Sequence, residues 1–513
     1  MIDRIKIQNF RSIRDLEIKL GKMNAFIGPN NAGKSNIMRA LNLVLGETWP
    51  SPRSFDDKDF YKYDKTNPII IEVYFDKPLS CDKEVYGFRL TYNWDNCEYV
   101  PIDYNGSEIT YGSGRTKKVS NEMKEEVSLM YLSLERQASM QVRPSKWTLY
   151  GKLLRYLNDQ IEQENKDEFR KVLEGGYKDN LYSKVKSLEE ILREHVKDQT
   201  GLEIFLRFSL LDPMEILSNL RPYFKEGAIE YDSEDMGAGT QSALAVAIAR
   251  AYAEIVRKPL IIAIEEPELY LHPHGCRHFY RLLKNLTEEG LNEEGLPEEG
   301  LQVIYTTHER SFINISNYRE IHIVRKENEE TRVYSGINLQ DKSEFDGIKS
   351  SSKFNEYINE VFFAEHVILV EGFSDKIACQ IALEKLGLDL DLKNISIIEC
   401  GGKKEIKPIS EILKHFGIKT YVLIDADAER EISELEKLIG EGNVFKQEPD
   451  LEGMLDREKL ESLIISLGME PEKDRKERLK LTKEQSLKVL PKYFDENAIP
   501  ETYSKLKDRI EGG

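Results

Sequence analysis

Hydrophobic and polar positions divide the chain into two successive stretches of strands and helices. In the first stretch, apolar and polar residues alternate over RIKIQNF and LEIKL, and short apolar runs follow at MNAFI, IIIEVYF and YGFRLTYNW. Two more apolar runs, LIIAIEEPE (260–268) and QVIYTTH (302–308), bracket a helical pattern. Alternation with a period of two predicts strands, and strands separated by helices predict a parallel sheet.

A second α/β pattern begins after a polar stretch. The apolar runs HVILVEG, ISIIECGG and TYVLIDAD are separated by helical segments, and the C-terminal part of the chain is charged and helical. The sequence therefore predicts an α/β protein with a first domain over 1–345, a linker over 346–360, and a second domain over 361–513 that has a helical C-terminal extension. Lys, Glu and Leu at helical spacing over 147–220 predict a helical insertion in the first domain, either a solvated helix pair or a dimerisation arm.

Composition and charge narrow the class of protein. The 513 residues are 40% hydrophobic and carry a formal net charge of -18, which fits a soluble protein of two or three globular domains. This charge argues against a protein that coats nucleic acid non-specifically, but it is compatible with local contacts to phosphates. The five cysteines form no CxxC pair, the N-terminus lacks a signal-peptide core, and no apolar run is long enough for a membrane span. We therefore expect a cytoplasmic protein without a membrane partner.

A phosphate-binding loop follows the run MNAFI. Residues 28–35 read GPNNAGKS, which matches GxxxxGK[ST], and the motif lies between a strand pattern and a helix pattern, as its chemistry requires. Glycines let backbone N–H groups turn toward phosphates, the lysine supplies a positive charge, and the serine hydroxyl suits Mg²⁺. The predicted ATP contacts in this loop are Gly28, Asn30, Asn31, Gly33, Lys34 and Ser35.

Two acids and a histidine end the next two strand patterns. Glu265 and Glu266 follow the apolar run LIIAI, where one acid can hold Mg²⁺ through water and the other can position or deprotonate the attacking water. The alternative is an ordinary strand that ends in a solvated charge pair, and the neighbouring P-loop weakens it. His308 directly follows QVIYTT and can hydrogen-bond a γ-phosphate.

The stretch GAGTQS precedes a long, apolar-striped helix pattern. Glycines at a helix N-terminus offer free N–H groups to an anion, and a tight turn with a helix cap is the alternative. The residues concerned are Gly237, Gly239, Thr240, Gln241 and Ser242.

The order of these motifs over about residues 1–325, together with the opening IQNFRSI, resembles the heads of RecF-like and SMC-like ABC ATPases. In that family two heads sandwich ATP, and the signature motif touches the γ-phosphate held by the second subunit, so the resemblance implies a homodimer. Glu265 departs from the aspartate that many of these ATPases carry. Gln137 and Gln141 are both candidates for the Q-loop glutamine.

The second domain carries acids at the ends of two strand patterns. Glu371 follows HVILV, and Asp425 and Asp427 end TYVLIDAD. Asp375 lies one helical turn after Glu371. Because the carboxyl ends of parallel strands meet at one edge of a sheet, these acids can converge on a divalent cation.

Two further segments extend the polar set of the second domain. EPDLEGML offers Asp450 and Glu452 as additional ligands, or is a charged loop before a helix. The GGK turn at 401–403 either approaches the substrate backbone or simply closes the chain.

This acidic pattern resembles the Toprim signature, and an ATPase followed by a Toprim domain resembles the OLD (overcoming lysogenization defect) family, including Gabija-type and retron-associated defence nucleases. The resemblance covers almost the whole chain. It implies an ATP-binding endonuclease that uses Mg²⁺ or Mn²⁺, with two ions at the Toprim site and one with ATP, in defence against phage or foreign DNA. The implied metal ligands are Glu371, Asp375, Asp425, Asp427, Asp450 and Glu452, with Ser35 on the metal of ATP.

The resemblance also implies catalytic and nucleotide-contacting residues. OLD-family enzymes use a late lysine near the scissile phosphate, and of Lys480, Lys483 and Lys488 in KLTKEQSLK we take Lys483. The expected catalytic residues are Glu371, Asp425, Asp427 and Lys483 for cleavage and Glu266 for ATP hydrolysis. The expected nucleotide contacts beyond the P-loop are Gly239, Gln241, Ser242, Glu265, Glu266 and His308.

Three functions are open from the sequence. DNA cleavage gated by ATP in a homodimer is the leading hypothesis, with a partner protein of a defence system as a further expectation. RNA cleavage, for instance of tRNA, needs the same metal chemistry, and a nucleotide-switched sensor would carry a vestigial Toprim domain. The joint presence of Glu371, Asp425 and Asp427 argues against the sensor, because a degenerate site would have lost at least one of them.

Overall fold

The computed structural model describes residues 1–133, 143–144, 148–180, 185–186, 188–193, 213–256, 260–269, 271–288, 301–339, 356–474 and 478–512. We refer to residues 1–339 as the N-terminal part and to residues 356–512 as the C-terminal part. The two candidate Q-loop glutamines, Gln137 and Gln141, lie outside the described residues, as does most of the predicted linker.

Strands occur in both parts, close to the positions that the apolar runs predict. Those of the N-terminal part are β1 (Ile2–Phe10), β2 (Ile13–Lys19), β3 (Met23–Ile27), β4 (Ile69–Phe75), β5 (Gly87–Asn93), β6 (Asn96–Ile102), β7 (Ser128–Leu132), β8 (Tyr223–Glu226), β9 (Ile229–Asp232), β10 (Leu260–Glu265), β11 (Gln302–Thr307), β12 (Ile321–Glu327) and β13 (Glu330–Ser335). Those of the C-terminal part are β14 (His366–Val370), β15 (Ile395–Glu399), β16 (Lys419–Asp425) and β17 (Val444–Gln447).

Helices connect and cover these strands. In the N-terminal part they are α1 (Lys34–Leu45), α2 (Asn121–Glu126), α3 (Leu149–Gln160), α4 (Gln163–Asn180), α5 (Pro213–Leu217), α6 (Ala238–Val256) and α7 (Pro273–Glu288). In the C-terminal part they are α8 (Phe373–Lys385), α9 (Lys403–His415), α10 (Glu429–Ile439), α11 (Leu451–Met454), α12 (Arg457–Ser466), α13 (Lys483–Glu496) and α14 (Glu501–Gly512). Within the described residues, no helix has the length and hydropathy needed to cross a membrane.

The first sheet is antiparallel and has the strand order β2–β1–β4–β5–β6. Alternate side chains of β1 point inward, and Ile5 and Ile7 are completely buried. They belong to a core that also contains Met38 of α1 and Ile304 of β11. The antiparallel sheet therefore covers one face of the sheet that follows, with α1 between them.

The second sheet has the order β13–β12–β3–β11–β10–β7 and is parallel except for its edge strand β13. Ile27 at the end of β3 pairs with Thr307 of β11, and Glu265 at the end of β10 pairs with Thr306. The residues that follow these three strands therefore lie along one edge of the sheet. This alignment is what brings the separated N-terminal motifs together.

The predicted helical insertion over 147–220 contains α3, α4 and α5 within its described residues. Leu149 and Leu153 of α3 share a core with Ala245 and Val246 of α6. The hairpin β8–β9 follows the insertion and leads into α6. The first helix of the insertion is thus packed on α6, the helix whose first turn contains most of GAGTQS.

The C-terminal sheet is entirely parallel and has the order β15–β14–β16–β17. Val370 at the end of β14 pairs with Leu423 of β16 on one side and with Glu399 of β15 on the other. Asp425 pairs with Gln447 at the end of β17. The carboxyl ends of all four strands therefore meet at one edge, as the sequence predicts for Glu371 and the DAD segment.

The helices of the C-terminal extension close one face of this sheet. Leu383 of α8, Val489 of α13, and Tyr503 and Leu506 of α14 are completely buried in one core. The charged end of the chain is therefore an integral layer of the C-terminal part. Because this layer packs against α8, it fixes the position of that helix, which begins two residues after Glu371.

A single hydrophobic core runs through both parts. It contains Phe312 from the N-terminal part and Ile412 and Phe416 from the C-terminal part. The 3-10 helix Glu356–Phe362 joins the two, and its Phe362 packs edge-on against Phe416 with ring centroids 5.3 Å apart. The predicted linker over 346–360 therefore ends in packed structure, because its last residues begin this helix.

Gly336 lies where the two parts touch, and its substitution by alanine tests that packing. A Cβ atom there would lie 1.9 Å from the carbonyl oxygen of Tyr318 and 2.8 Å from the Phe416 ring. We expect Gly336→Ala to destabilise the protein by about 1–3 kcal/mol, the usual effect of overpacking. The measurement is the midpoint of thermal unfolding.

The matched control for this prediction is Gly275→Ala. A Cβ atom at Gly275 would meet only Leu271, at 3.7 Å, and the position lies in α7, where alanine is preferred over glycine. Its midpoint should stay the same or rise. Equal midpoints for Gly336→Ala and the wild type would contradict the tight contact between the two parts.

Candidate active sites

The P-loop follows β3 and wraps around the start of α1. Gly28 has a φ of +143°, and a Cβ atom there would lie 2.0 Å from the carbonyl oxygen of Val324. Gly33 has a φ of +112°, and its Cβ atom would lie 2.3 Å from the hydroxyl of Thr331. Both positions therefore require glycine, because a side chain would clash with β12 and β13. The hairpin β12–β13 thus forms the back wall of the loop.

Lys34 lies buried beneath the P-loop. Its ammonium donates to the carbonyl oxygens of Gly28 at 2.8 Å and Pro29 at 3.0 Å. Burial lowers the pKa of Lys34 to about 8, and the charges of Glu266 and Glu268 oppose that shift. Lys34 is therefore largely protonated at neutral pH and can exchange its two carbonyl contacts for phosphate oxygens.

The remaining predicted P-loop residues point outward. Asn30, Asn31 and Ser35 are exposed, and Asn31 adopts a left-handed conformation with a φ of 63°. These side chains face the space in front of the loop rather than the core. They are positioned for a ligand that approaches from solvent.

The acidic end of β10 and His308 lie beside one another. His308 Nε2 is 3.7 Å from Glu266 Oε1, and Glu265 is buried at the strand end. Burial lowers the pKa of His308, with help from the charge of Lys34, so its ring is neutral at physiological pH. Glu266, Lys34 and His308 therefore form one cluster, as the order of motifs predicts.

Glu268 also belongs to this cluster, and the sequence analysis missed it. Its Oε1 accepts a 2.7 Å hydrogen bond from the backbone N–H of His308. Burial raises the pKa of Glu268. The only signal in the sequence is that it is the third acid in EEPE, and a charged residue in a turn gives no indication of which strand end it will contact.

The GAGTQS segment forms the start of α6, as expected. Gly237 is exposed and Gly239, Thr240 and Ser242 are half-buried, whereas Gln241 is 6% exposed and donates from its amide nitrogen to the carbonyl oxygens of Ser233 and Glu234. Because these bonds hold the preceding turn, we leave Gln241 out of the proposed nucleotide contacts. In the described ranges, no hydrogen bond or ion pair joins this segment to the P-loop.

The acids of the C-terminal part converge at the edge of the parallel sheet. Glu371 Oε1 accepts a 3.1 Å hydrogen bond from the backbone N–H of Asp425, and the carbonyl oxygen of Glu371 accepts one from Gly402. Asp375 accepts a 3.1 Å bond from the N–H of Gly372 at the start of α8. Backbone contacts therefore fix Glu371 between the DAD segment and the GGK turn.

Gln447 holds two of these acids together and was not predicted. It is completely buried at the end of β17, and its amide nitrogen donates to Asp425 Oδ1 at 3.1 Å and to Asp375 Oδ1 at 3.0 Å in the orientation that satisfies its hydrogen bonds. A glutamine at a strand end has no motif around it. Its contact depends on the pairing of β16 with β17, which the sequence does not specify.

Burial and mutual repulsion disfavour the ionised forms of the acids in this cluster. Burial, followed by the charges of Glu371 and Glu452, raises the pKa of Asp375 to about 7. Burial, followed by the charges of Asp375 and Glu371, raises the pKa of Asp425 to about 8. Burial also raises the pKa values of Glu371 and Glu452. Asp375, Asp425, Glu371 and Glu452 therefore form one electrostatically coupled group that favours protons or cations.

Glu452 and Asp450, the two acids predicted from EPDLEGML, have different surroundings. Glu452 is 8% exposed and accepts a 2.8 Å hydrogen bond from the N–H of Leu481. Asp450 caps α11 and accepts from Arg457 at 2.8 and 2.9 Å and from Arg478 at 3.1 Å. Both oxygens of Asp450 are thus held by arginines. We therefore leave Asp450 out of the proposed metal ligands, because it holds these two side chains.

Three lysines border the acidic cluster, and the structure separates their surroundings. Lys403 Nζ lies 3.4 Å from Asp427 Oδ1. The charge of Lys480 opposes the burial that raises the pKa values of Glu371 and Glu452. Lys483 instead lies over the ring of Phe373, 5.3 Å from its centroid. We therefore favour Lys480 over Lys483 as the candidate lysine of this site.

The donor set of the cluster fits a hard divalent cation. Its groups are carboxylate oxygens, which Mg²⁺ and Mn²⁺ prefer, and their raised pKa values show that positive charge is lacking among them. Among the residues that the structure describes, no three His, Cys, Asp or Glu side chains are already arranged to hold one metal ion. Metal binding therefore requires rotation of these side chains, and the protonated carboxyl groups must lose their protons.

Two family models match the chain. The model described as "Overcoming lysogenization defect protein-like, TOPRIM domain" matches residues 362–427. The model described as "AAA domain, putative AbiEii toxin, Type IV TA system" matches residues 23–314. The first match spans Glu371 to Asp427 and the second spans the P-loop to His308. Together they confirm the expected order of an ATPase followed by a Toprim domain.

Named nucleases are similar over most of the chain. An OLD nuclease from Thermus scotoductus is 31% identical over 444 residues, which cover 83% of this chain and 82% of that protein. The Old nuclease of Escherichia phage P2 is 25% identical, covering 82% and 76%, and the endonuclease GajA of Bacillus cereus is 22% identical, covering 78% and 70%. An SMC head bound to the C-winged helix domain of ScpA aligns with a TM-score of 0.40 at 17% identity, over 65% of this chain and 97% of that chain, a likeness too weak to carry an argument.

The raised pKa values of Asp375 and Asp425 predict how metal-free stability depends on pH. An acid whose pKa is higher in the folded state stabilises the fold below its ordinary pKa and loses that contribution as pH rises through the folded value. Without metal, the thermal midpoint should therefore fall between about pH 4 and pH 8, the upper end being the raised pKa of Asp425. Mg²⁺ or Mn²⁺ at pH 8 should restore it. The measurement is thermal unfolding in chelator and in either metal across this range.

Asp425→Asn and Asp508→Asn provide the comparison for this prediction. Asp425→Asn removes one charge of the cluster, so the fall with pH and the rise with metal should both shrink. Asp508 is an exposed aspartate of α14, and its substitution should change neither. A wild-type thermal midpoint that changes with neither pH nor metal would contradict the repulsion between the buried acids of the cluster.

Proposed function

The chain belongs to the OLD nuclease family, and from this premise we propose that it is a divalent-metal-dependent DNA endonuclease whose cleavage is gated by ATP in a homodimer. The observation that carries the proposal is the coupled group of buried acids at the carboxyl edge of the C-terminal sheet. Its chemistry suits hydrolysis of phosphodiesters. The ATPase cluster lies on a separate sheet edge, so ATP hydrolysis and DNA cleavage are separate reactions.

Five acids form the proposed metal site. The ligands are Glu371, Asp375, Asp425, Asp427 and Glu452, with Asp450 left out because of its arginine partners. Divalent cations bound there supply a water of lowered pKa and neutralise the phosphoryl charge. The Glu371 carboxylate keeps its orientation through the Asp425 N–H, and Gln447 keeps Asp375 beside Asp425.

Lysines offset the negative charge that would otherwise repel DNA. Lys480 supplies positive charge near Glu371 and Glu452, where we propose that it contacts the scissile phosphate. Lys403 pairs with Asp427, which is half exposed, at the mouth of the same cluster. We propose that Lys403 contacts a neighbouring phosphate once Asp427 turns to a metal ion. Local positive charge of this kind is needed in a chain with a net charge of -18.

ATP is proposed to bind between two copies of the N-terminal part. In one copy, Lys34 meets the β- and γ-phosphates, Ser35 and Glu265 hold Mg²⁺, and Glu266 orients the attacking water beside His308. The second copy contributes Gly239 and Ser242 at the start of α6. Among the described residues, no hydrogen bond joins this segment to the P-loop of its own chain, which supports such a composite site. Asn30 and Asn31, which are exposed in the P-loop, complete the proposed phosphate contacts.

We propose that the enzyme acts in defence against phage or foreign DNA. The support is the resemblance to the Gabija-type and retron-associated nucleases together with the similarity to GajA. The proposal makes DNA the first substrate to test. Total RNA is the second substrate, and cleavage of RNA alone would replace DNA in the proposal.

Cleavage of supercoiled plasmid tests the nuclease site. Wild-type protein with Mg²⁺ or Mn²⁺ should nick or linearise the plasmid, and Glu371→Ala should reduce the rate by at least about 100-fold, because a metal ligand and its electrostatic effect are lost. The control is Glu384→Ala, which removes an exposed acid near the end of α8 whose carboxylate accepts a hydrogen bond from Gln380. Similar rates for Glu371→Ala and Glu384→Ala would overturn the assignment of the site.

The choice between Lys480 and Lys483 is tested by a pair of alanine variants. Lys480→Ala should lower the cleavage rate by about 100-fold if its charge stabilises the transition state. Lys483→Ala should stay within about twofold of wild type, because its ammonium lies over Phe373. The measurement is the single-turnover rate on plasmid at saturating metal, with thermal unfolding to confirm that both variants fold. The opposite ranking would restore Lys483.

A further inference from the structure

The segment that follows β11 is tied to the helix that enters the C-terminal part. We define residues 308–315, which begin with His308, as the switch segment. Asn359 donates from its amide nitrogen to the carbonyl oxygens of Ile313 at 2.9 Å and Arg310 at 3.5 Å. Its amide oxygen accepts a 3.0 Å bond from the N–H of Ile315. Asn359 is only 6% exposed, so this one side chain fixes the backbone of the switch segment at three points.

The same helix is tied to the edge strand of the C-terminal sheet. We call the 3-10 helix Glu356–Phe362 the bridge helix. The residue after Asn359 is Glu360, whose Oε1 accepts a 3.1 Å bond from the hydroxyl of Ser396 in β15. Its Oε2 lies 3.7 Å from the guanidinium of Arg310 in the switch segment. Adjacent residues of the bridge helix therefore hold the switch segment and β15 at once.

A second tie runs from the wall of the P-loop to the same region. Val324 of β12 abuts Gly28, and the next residue, Arg325, donates to the carbonyl oxygens of Gly417 at 2.8 Å and Ala364 at 3.4 Å. Ala364 lies just after the bridge helix, and Gly417 lies just before β16. The two sides of the proposed nucleotide site thus reach the C-terminal sheet through separate hydrogen-bonded contacts.

The strand that the bridge helix holds leads to a turn beside the acidic cluster. Ser396 lies in β15, which continues into Gly401 and Gly402, with φ values of +79° and +133°. Neither glycine has an atom within 4 Å of where its Cβ would be, so that side of the turn is open, while the Gly402 N–H donates to the carbonyl oxygen of Glu371 at 3.0 Å. The turn ends at Lys403, which pairs with Asp427. A shift of β15 can therefore change how Lys403 meets the acidic cluster.

We propose that Asn359 is a positioning residue that couples the state of the nucleotide to the nuclease site, through Glu360, Ser396 and the GGK turn. The inference rests on the proposed function, since it assigns a route for the ATP gate. When His308 moves with the γ-phosphate, the switch segment moves and carries Asn359 with it, because the hydrogen bonds that the described residues make to the Asn359 side chain all come from that segment. The bridge helix then moves against β15, and the position of Lys403 changes. Packed contacts with two discrete arrangements are the physical means of such coupling.

The experiment compares nuclease rates with and without nucleotide in full-length wild type and Asn359→Ala. The ratio of the rate at saturating ATP to the rate without nucleotide should differ from one by at least about fivefold in the wild type, in either direction. In Asn359→Ala the ratio should return to within about twofold of one, while cleavage without nucleotide persists. The control is Asn317→Ala, which removes a 3.4 Å hydrogen bond to Tyr280 that does not involve the bridge helix. This variant should keep the wild-type ratio.

A second readout does not depend on cleavage. Hydrogen–deuterium exchange over residues 395–404 is measured with and without a non-hydrolysable ATP analogue. The wild type should show a nucleotide-dependent change in this segment, and Asn359→Ala should lose it while still binding the analogue. If the protein cuts no substrate but shows this pattern of exchange, the coupling stands and the proposed nuclease function fails.

Other outcomes overturn the coupling. An unchanged rate ratio and unchanged exchange response in folded Asn359→Ala would exclude this residue as the link. Cleavage by the wild type without any response to nucleotide would overturn the coupling and leave the nuclease function standing. If Asn359→Ala fails to fold, Glu360→Gln, Ser396→Ala and the double variant decide the matter. Each single change should bring the ratio closer to one, and the double variant should show no further change; a wild-type ratio in all three would exclude the route.

Discussion

Matched register between parallel strands decides where this chain can carry out chemistry. Val370 of β14 pairs with Leu423 of β16 and with Glu399 of β15, so the polar residues that end the three strands meet at one edge. In the N-terminal sheet, the pairing of Glu265 with Thr306 has the same effect. A slip of one residue would turn each acid to the opposite face. The formation of both clusters therefore depends first on the register of the strands and then on the identity of each acid.

The sequence alone predicted most of this framework, because the relevant signals are local. Short apolar runs that end in Gly or acidic residues mark the strands, and LIIAIE and HVILV both form strands at the expected places. The P-loop, the GAGTQS helix start and the DAD segment are recognisable for the same reason. Each of the three combines a strand or helix pattern with polar residues a few positions away, so recognising it requires no information from distant parts of the chain.

The details that the sequence could not provide depend on contacts between distant residues. Asp450 is held by Arg478, which lies 28 residues further along the chain, and Gln447 reaches Asp375 only because β17 lies beside β16. An aspartate that binds an arginine and one that binds a metal look the same in a single sequence. The same limit applies to the choice between Lys480 and Lys483, which lie three positions apart, because only the structure shows that Lys483 lies over Phe373.

The hydrophobic core that runs through both parts has a consequence for evolution and for protein engineering. Two domains joined by a loose linker can be exchanged between relatives as independent cassettes. Here the hairpin β12–β13 and the bridge helix contribute to the surface on which the C-terminal part rests, so a crossover inside the predicted linker would separate residues that pack against and hydrogen-bond to one another. A functional chimera should therefore take the N-terminal sheet, the bridge helix and the Toprim domain from the same relative, because β12 also pairs with β3 and Asn359 also holds the switch segment.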